Sequence, residues 1–211
     1  MAGTTPAAER YPIDPRVQLS RDLIVDVVQE ITRRHRPRIL IFGLGYDTPM
    51  WQHFAKVAGG TVVFVEENEQ YIKLNPTAHV IKVAPHQWHT YVGDGTLEPD
   101  ANLLAVHPSL AGSLFDVILV DGPTGYGPDR PGRQGACRWA ALLSAPAAAI
   151  YIDDSERPIE AQSIVRYFHT PDHTIVWNKV HPTVGKQCTK ILQQGMNQER
   201  SSIMSVPTLS S

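Results

Sequence analysis

Cysteine is nearly absent from this chain: Cys137 and Cys188 are its only two in 211 residues. That is too few for a disulfide framework and too widely spaced for a metal knuckle, so a reducing compartment is the simplest setting and one bridge the most the pair could make. An excess of charge of one sign is missing too. The formal net charge is −2 and no run of Lys and Arg occurs, which leaves no basic footprint for nucleic acid or for an anionic membrane. No apolar stretch approaches the roughly 20 residues that a bilayer-spanning helix needs. The opening "MAGTTPAAERYPIDP" has no basic segment followed by an apolar core. Together these absences predict a soluble, cytoplasmic protein with no nucleic-acid or membrane partner.

What is present suits one globular domain, with 42% hydrophobic and 19% charged residues. Residues 1–15 read as a flexible arm rich in Pro, Ala and Thr, residues 16–195 as the domain, and residues 196–211 as a polar tail. Leu19, Leu23, Val27 and Ile31 recur at helical spacing, with Ser20 or Asp22 near the start and Pro37 beyond the end, which predicts an amphipathic helix over 18–34. Further helices are expected at 48–57, 98–106, 132–144 and 157–169. Strand-length apolar runs fall at 38–42, 61–66, 79–84, 115–121, 147–153, 174–180 and 187–193, the last two joined by "HPTVGK". Alternating strands and helices predict an α/β fold of seven mostly parallel strands with helices on both faces and a C-terminal antiparallel hairpin, a Rossmann-like layout that by analogy resembles the class I methyltransferase sheet.

In such a sheet ligands bind outside the carboxyl ends of the strands, where the strand order reverses. After the first strand, "ILIFGLGYDTPMWQ" supplies Gly43, Leu44 and Gly45 for close backbone approach, then Asp47 or Thr48 as a cap and Pro49 in the first helical turn. The second strand, "TVVFVEEN", ends in Glu66 and Glu67. A carboxylate there can accept both hydrogen bonds of a ribose diol, and strand alternation favours Glu66, with Glu67 one register step away. An adenosine so held fits NAD or S-adenosylmethionine. The missing third glycine and the acidic Asp47 suit a sulfonium cation better than a pyrophosphate, so S-adenosylmethionine is the expected cofactor.

The fourth strand ends in Asp121, followed by a loop carrying four glycines and three prolines within 122–132. The fifth ends in Asp153 and Asp154. Three carboxylates at neighbouring strand ends are costly unless they share protons, meet cations or bind a metal. One reading has Asp121, Asp153 and Asp154 holding a divalent cation that orients and activates a hydroxyl. A second makes one aspartate the general base, and a third makes Asp154 a cap for the helix near Pro158. Substrate-binding candidates are Arg130 and Arg133, able to pair with a carboxylate, and His86, His89, Tyr91 and Asp94 after the third strand. The carboxylate pattern resembles the catechol O-methyltransferase type, in which an Asp after strand four and an Asp pair after strand five hold magnesium. The lysine base of that type is Thr124 here, so no base carries over.

The segments "LIFGLGYDTPMWQ", "GGTVVFVEEN", "FDVILVDGPTGYGPDRPGR" and "YIDDSERPIE" occur in the order, and with the wording, that resembles the polysaccharide-biosynthesis domain family containing plant glucuronoxylan 4-O-methyltransferases. The resemblance covers roughly residues 37–168. It implies S-adenosylmethionine as methyl donor, a sugar-acid or related hydroxyl of a small-molecule or saccharide partner as acceptor, Gly43, Leu44, Gly45 and Glu66 at the cofactor, and Asp121 with the Gly125–Tyr126 loop at the reaction. The expected activity is O-methyl transfer. A small natural product methylated on O or N is the nearest alternative, and a non-catalytic S-adenosylmethionine-binding module stands against both.

Overall fold

The computed structural model describes residues 11–84, 88, 95–124, 130–180 and 186–194. Its centre is one seven-stranded sheet: β1 (Arg38–Phe42), β2 (Thr61–Glu66), β3 (Val80–Lys82), β4 (Phe115–Val120), β5 (Ser144–Asp153), β6 (His173–Val180) and β7 (Gln187–Gln193). The strand order is β3-β2-β1-β4-β5-β7-β6. The first five strands pair in parallel, while β7 runs antiparallel to both β5 and β6. This is the expected sheet with its terminal antiparallel pair. The order reverses between β1 and β4, which puts the crevice at the ends of those two strands.

The central strands read as unbroken apolar runs because both faces are covered. Alternation sends Leu40 and Phe42 of β1 to one core with Ile118, Ile150, Trp88 and Trp139. Ile39 and Ile41 go to the other, with Val117, Leu119, Ala149 and Trp51. Helices α1 (Arg21–Thr32) and α2 (Thr48–Val57) supply the second core, while α4 (Gln134–Leu143) and α5 (Pro158–Phe168) supply the first. The Ser20 side chain caps α1 by accepting from Leu23 N at 3.2 Å. Cys137 and Cys188 are free and buried in different cores, so they form no bridge with each other. Among the described residues no helix is long and apolar enough to cross a membrane.

Three expectations change. No helix spans 98–106; only a 3-10 turn forms at Asp100–Asn102, with another at Pro108–Leu110. Side chains of α4 have taken the backbone groups a helix would need: Gln134 bonds both N and O of Glu98, and the Trp139 indole donates to Leu104 O at 2.9 Å. A short helix absent from the expectation, α3 (Glu69–Leu74), follows β2, capped by the Asn68 side chain. Packed chain also begins before residue 16, since the Tyr11 ring stacks against His53 and Phe54 at centroid distances of 5.0 and 5.3 Å. The hairpin turn at 181–185 and the polar tail lie outside the described residues.

Candidate functional site

The ends of β1, β2, β4 and β5 open into one cleft of about 380 Å³. Its floor is a close approach of two loops. Gly43 adopts φ +108° at the end of β1, and a Cβ there would lie 3.3 Å from Asp121 C and Gly122 N. A Cβ on Gly122 would fall 3.0 Å from Gly43 N and Cα. The pair of glycines therefore brings Asp121 against the β1 loop, besides leaving room for a ligand.

Glu66 organises the next wall. Its Oε2 accepts from Leu44 N at 2.6 Å, and its Oε1 accepts from Glu67 N at 2.8 Å and Asn68 N at 2.6 Å. Burial raises its carboxyl above the usual range, opposed by these three N–H groups. Glu67 also lines the cleft; burial and the Glu66 charge push its carboxyl up to about 7, and Arg130 acts against them. Among the described residues Glu67 Oε2 is buried with no hydrogen-bond partner.

Asp47 stands at the head of α2 but its side chain does not cap it. Oδ2 accepts from the Trp51 indole at 2.6 Å, and burial raises the carboxyl, with that bond opposing. Thr48 Oγ1 instead takes the Gly45 N–H at 3.0 Å. At the rim, the Arg16 guanidinium lies 3.8 Å over the Tyr46 ring and is gripped by Asp14.

The three expected aspartates do converge: oxygens of Asp121, Asp153 and Asp154 lie within 4.8 Å of one another. Arg133, expected to meet a substrate carboxylate, is instead their counter-ion. Only 4% exposed, it donates from Nε to Pro123 O at 3.3 Å, from Nη1 to Asp153 O at 2.6 Å and from Nη2 to Asp121 Oδ1 at 3.3 Å. Its Nη2 lies 2.9 Å from Asp154 Oδ2 and its Nη1 4.0 Å from Asp153 Oδ2. Two more cations flank Asp154: Arg157 Nη2 at 2.7 Å and Lys186 Nζ at 3.0 Å.

That donor set does not fit a divalent ion. The three carboxylates already face three fixed cations, and a metal would have to enter beside a buried guanidinium. The three carboxylates expected to hold a metal are instead paired with the protein's own cations. Nor does Asp154 cap α5. It sits in the left-handed region at φ 55°, a conformation aspartate tolerates, and its side chain is held by Arg133, Arg157 and Lys186.

The carboxyls titrate apart. Burial, with Asp153, Asp47 and Asp154 adding and Arg133 opposing, raises Asp121 well above the usual range. Asp153 is raised by burial too. Burial acts the same way on Asp154, but Arg133, Arg157 and Lys186 outweigh it and hold that carboxyl low. Asp154 and Asp121 are thus pushed in opposite directions, Asp154 down by its three cations and Asp121 up by burial.

Arg130 is exposed and lines the cleft, and its charge acts on Glu67 at the β2 side. His86, His89, Tyr91, Asp94, Gly125 and Tyr126 lie outside the described residues. Sequence reasoning missed Arg157, Lys186 and Arg16, which line the cleft from α5, the start of β7 and the N-terminal segment. Only the "DDSERP" run hinted at Arg157, placing a cation just before the proline that opens a helix.

The sheet order and the ligand crevice define a class I methyltransferase fold. Among solved structures it is similar to an O-methyltransferase from Bacillus cereus in complex with SAH, with a TM-score of 0.55 and 18% identity, covering 85% of this chain and 84% of that one. The family model described as IRX15/IRX15L/GXM matches residues 23–95, which hold the first two of the four segments that resemble the glucuronoxylan methyltransferase-like family. Glucuronoxylan 4-O-methyltransferase 2 of Arabidopsis thaliana is 29% identical over 195 residues, covering 71% of this chain and 65% of its own length. Arabinogalactan O-methyltransferase 2 of the same plant is 28% identical over 155 residues, 57% of this chain and 51% of its own. The chain spans between half and two thirds of the length of these curated relatives.

Proposed function

We propose that the protein is an S-adenosylmethionine-dependent O-methyltransferase whose acceptor is a hydroxyl of an acidic saccharide. The observation that carries this reading is the cleft itself: Glu66, tied to Leu44 at the β2 end, and Asp121, beside the Gly43–Gly122 contact, line one cavity. The cleft fits the cofactor chemically. It has a buried carboxylate, Glu66, whose Oε2 accepts one N–H and keeps an acceptor site for a ribose hydroxyl, a Glu67 oxygen with no hydrogen-bond partner among the described residues, and acidic neighbours for a sulfonium.

When bound, the cofactor supplies an electrophilic methyl group on a positively charged sulfur. The protein's share is placement and proton removal. Loop walls at Gly43–Asp47 and Asp121–Thr124 hold donor and acceptor at attack distance, which supplies much of the rate. Asp121, raised in basicity by its surroundings, accepts the proton of the attacking hydroxyl. Arg133 keeps Asp121 and Asp154 in position.

The test is transfer of a radiolabelled methyl group from S-adenosylmethionine to xylo-oligosaccharides bearing glucuronic acid. Transfer is expected, with Asp121→Asn slowed about a hundredfold or more. Undiminished turnover in that variant removes Asp121 as the base. The second reading, a non-catalytic binding module, draws on the pairing of Asp153 and Asp154 with the protein's own cations; binding of the cofactor without transfer to any acidic or neutral glycan would favour it.

A further inference from the structure

One wall of the cleft comes from the segment that precedes α1: Arg16, Val17, Gln18 and Leu19 line it beside the Gly43–Asp47 loop. The segment is pinned on both sides of Arg16. Tyr11 packs on His53 and Phe54 of α2 with ring centroids 5.0 and 5.3 Å apart, Leu19 is buried in the second core, and the Val17 N–H closes a turn onto Asp14 O at 3.0 Å. A side chain carried by a segment tied down at both ends is preorganised, so little further ordering is needed when it meets a ligand.

Arg16 itself is held on one edge and one face. Nε donates to Asp14 Oδ1 at 3.0 Å and Nη2 to Asp14 Oδ2 at 2.7 Å, while the guanidinium carbon stands 3.8 Å over the Tyr46 ring. The grip on Asp14 leaves donors over, because a guanidinium carries five N–H groups. The other edge, Nη1 with the second hydrogen of Nη2, makes no hydrogen bond to an acceptor among the described residues. The side chain is 61% exposed on the wall of the cleft, within reach of a ligand there. That edge is a fork able to take a carboxylate through two parallel bonds.

The other cations of the cleft are placed differently. Arg133, Arg157 and Lys186 are paired with the aspartates at the β4 and β5 ends, and Arg130 acts on Glu67 at the β2 side. With the ribose on Glu66 and the methyl group facing the acceptor beside Asp121, the wall beyond the Gly43–Asp47 loop is left for the third substituent on the donor's sulfur, its aminobutyrate chain. Resting on the methyltransferase reading above, we propose that Arg16 binds the α-carboxylate at the amino-acid end of the donor, with Asp14 and Tyr46 as positioning residues that fix the guanidinium. The N-terminal segment thereby distinguishes the complete donor from adenosine thioethers that lack the carboxylate.

The experiment is a calorimetric titration of the full chain with two probes: S-adenosylhomocysteine, and decarboxylated S-adenosylhomocysteine, whose aminopropyl chain keeps the ammonium and lacks the carboxylate. The first is expected to bind about tenfold or more tightly than the second. Arg16→Gln should weaken S-adenosylhomocysteine by about the same factor and leave the decarboxylated probe unmoved, and Arg16→Lys should keep part of the preference, since an ammonium supplies the charge without the fork. A merely structural role for Arg16 would weaken both probes alike. Equal affinity of the two probes, a variant that weakens both to the same extent, or a preference unmoved by Arg16→Gln overturns this assignment while the pocket stands. Binding of neither probe overturns the methyl-donor pocket, and this assignment with it.

Discussion

Arg133 Nη2 lies 2.9 Å from Asp154 Oδ2, with both side chains almost wholly out of water. The pair turns what the sequence presents as a bare cluster of acids into a self-neutralised network. It also separates two kinds of carboxylate in one site: Asp154, whose carboxyl three cations hold low, and Asp121, whose carboxyl burial raises despite Arg133.

Removal of the guanidinium leaves buried carboxylates facing one another. Arg133→Met is expected to cost about 3–5 kcal/mol of unfolding free energy, the range for breaking one side of a buried ion pair. Urea denaturation measures it, and a loss well under about 1 kcal/mol would mean that the network carries little of the fold.

Divalent ions should leave the protein unmoved. With Arg133, Arg157 and Lys186 already on the three aspartates, millimolar magnesium is expected to produce no rise in melting temperature, because a ligand stabilises only what it binds. Exhaustive chelation should likewise leave methyl transfer intact. A concentration-dependent thermal shift would restore the metal reading.

Glu66→Gln sets an amide N–H₂ against one of two backbone walls, because both oxygens of Glu66 accept from N–H groups. Weaker binding of S-adenosylhomocysteine by about 10- to 100-fold is expected, from losing bonds to a charged group. Unaltered affinity would place the ribose elsewhere.

Glu67 gives the stability a pH signature. Its carboxyl rises from 4.5 to about 7 on folding, through burial first and the Glu66 charge second. Below 4.5 both folded and unfolded chains keep the proton; between 4.5 and about 7 the unfolded chain releases it first, so stability falls as pH rises across that window and levels off above it. Glu67→Gln should remove that decline, which melting temperatures of the two proteins from pH 4.5 to 8 would reveal. Parallel curves would contradict it.

Much of the sheet was legible because a buried parallel strand is written locally. Arg38–Phe42, Thr61–Glu66 and Gln187–Gln193 match their apolar runs residue for residue. The helix missed after β2 buries none of its six residues, so no apolar stripe marked it. The helix wrongly expected over 98–106 lost its backbone groups to Gln134 and Trp139, partners more than thirty residues away that no local pattern displays. In the site the same division holds. Acids at strand ends announce themselves through the strand that carries them, so Glu66, Asp121, Asp153 and Asp154 were found. Their cations come from a loop, a helix start and a returning strand, and only the folded chain brings Arg133, Arg157 and Lys186 to Asp154.

Everything proposed for this cleft depends on its being a methyl-donor pocket, and an equilibrium titration with S-adenosylhomocysteine addresses that directly. Saturable binding of one molecule per chain, weakened by Glu66→Gln, is the predicted result. No binding at millimolar ligand to a protein shown to be folded would contradict it.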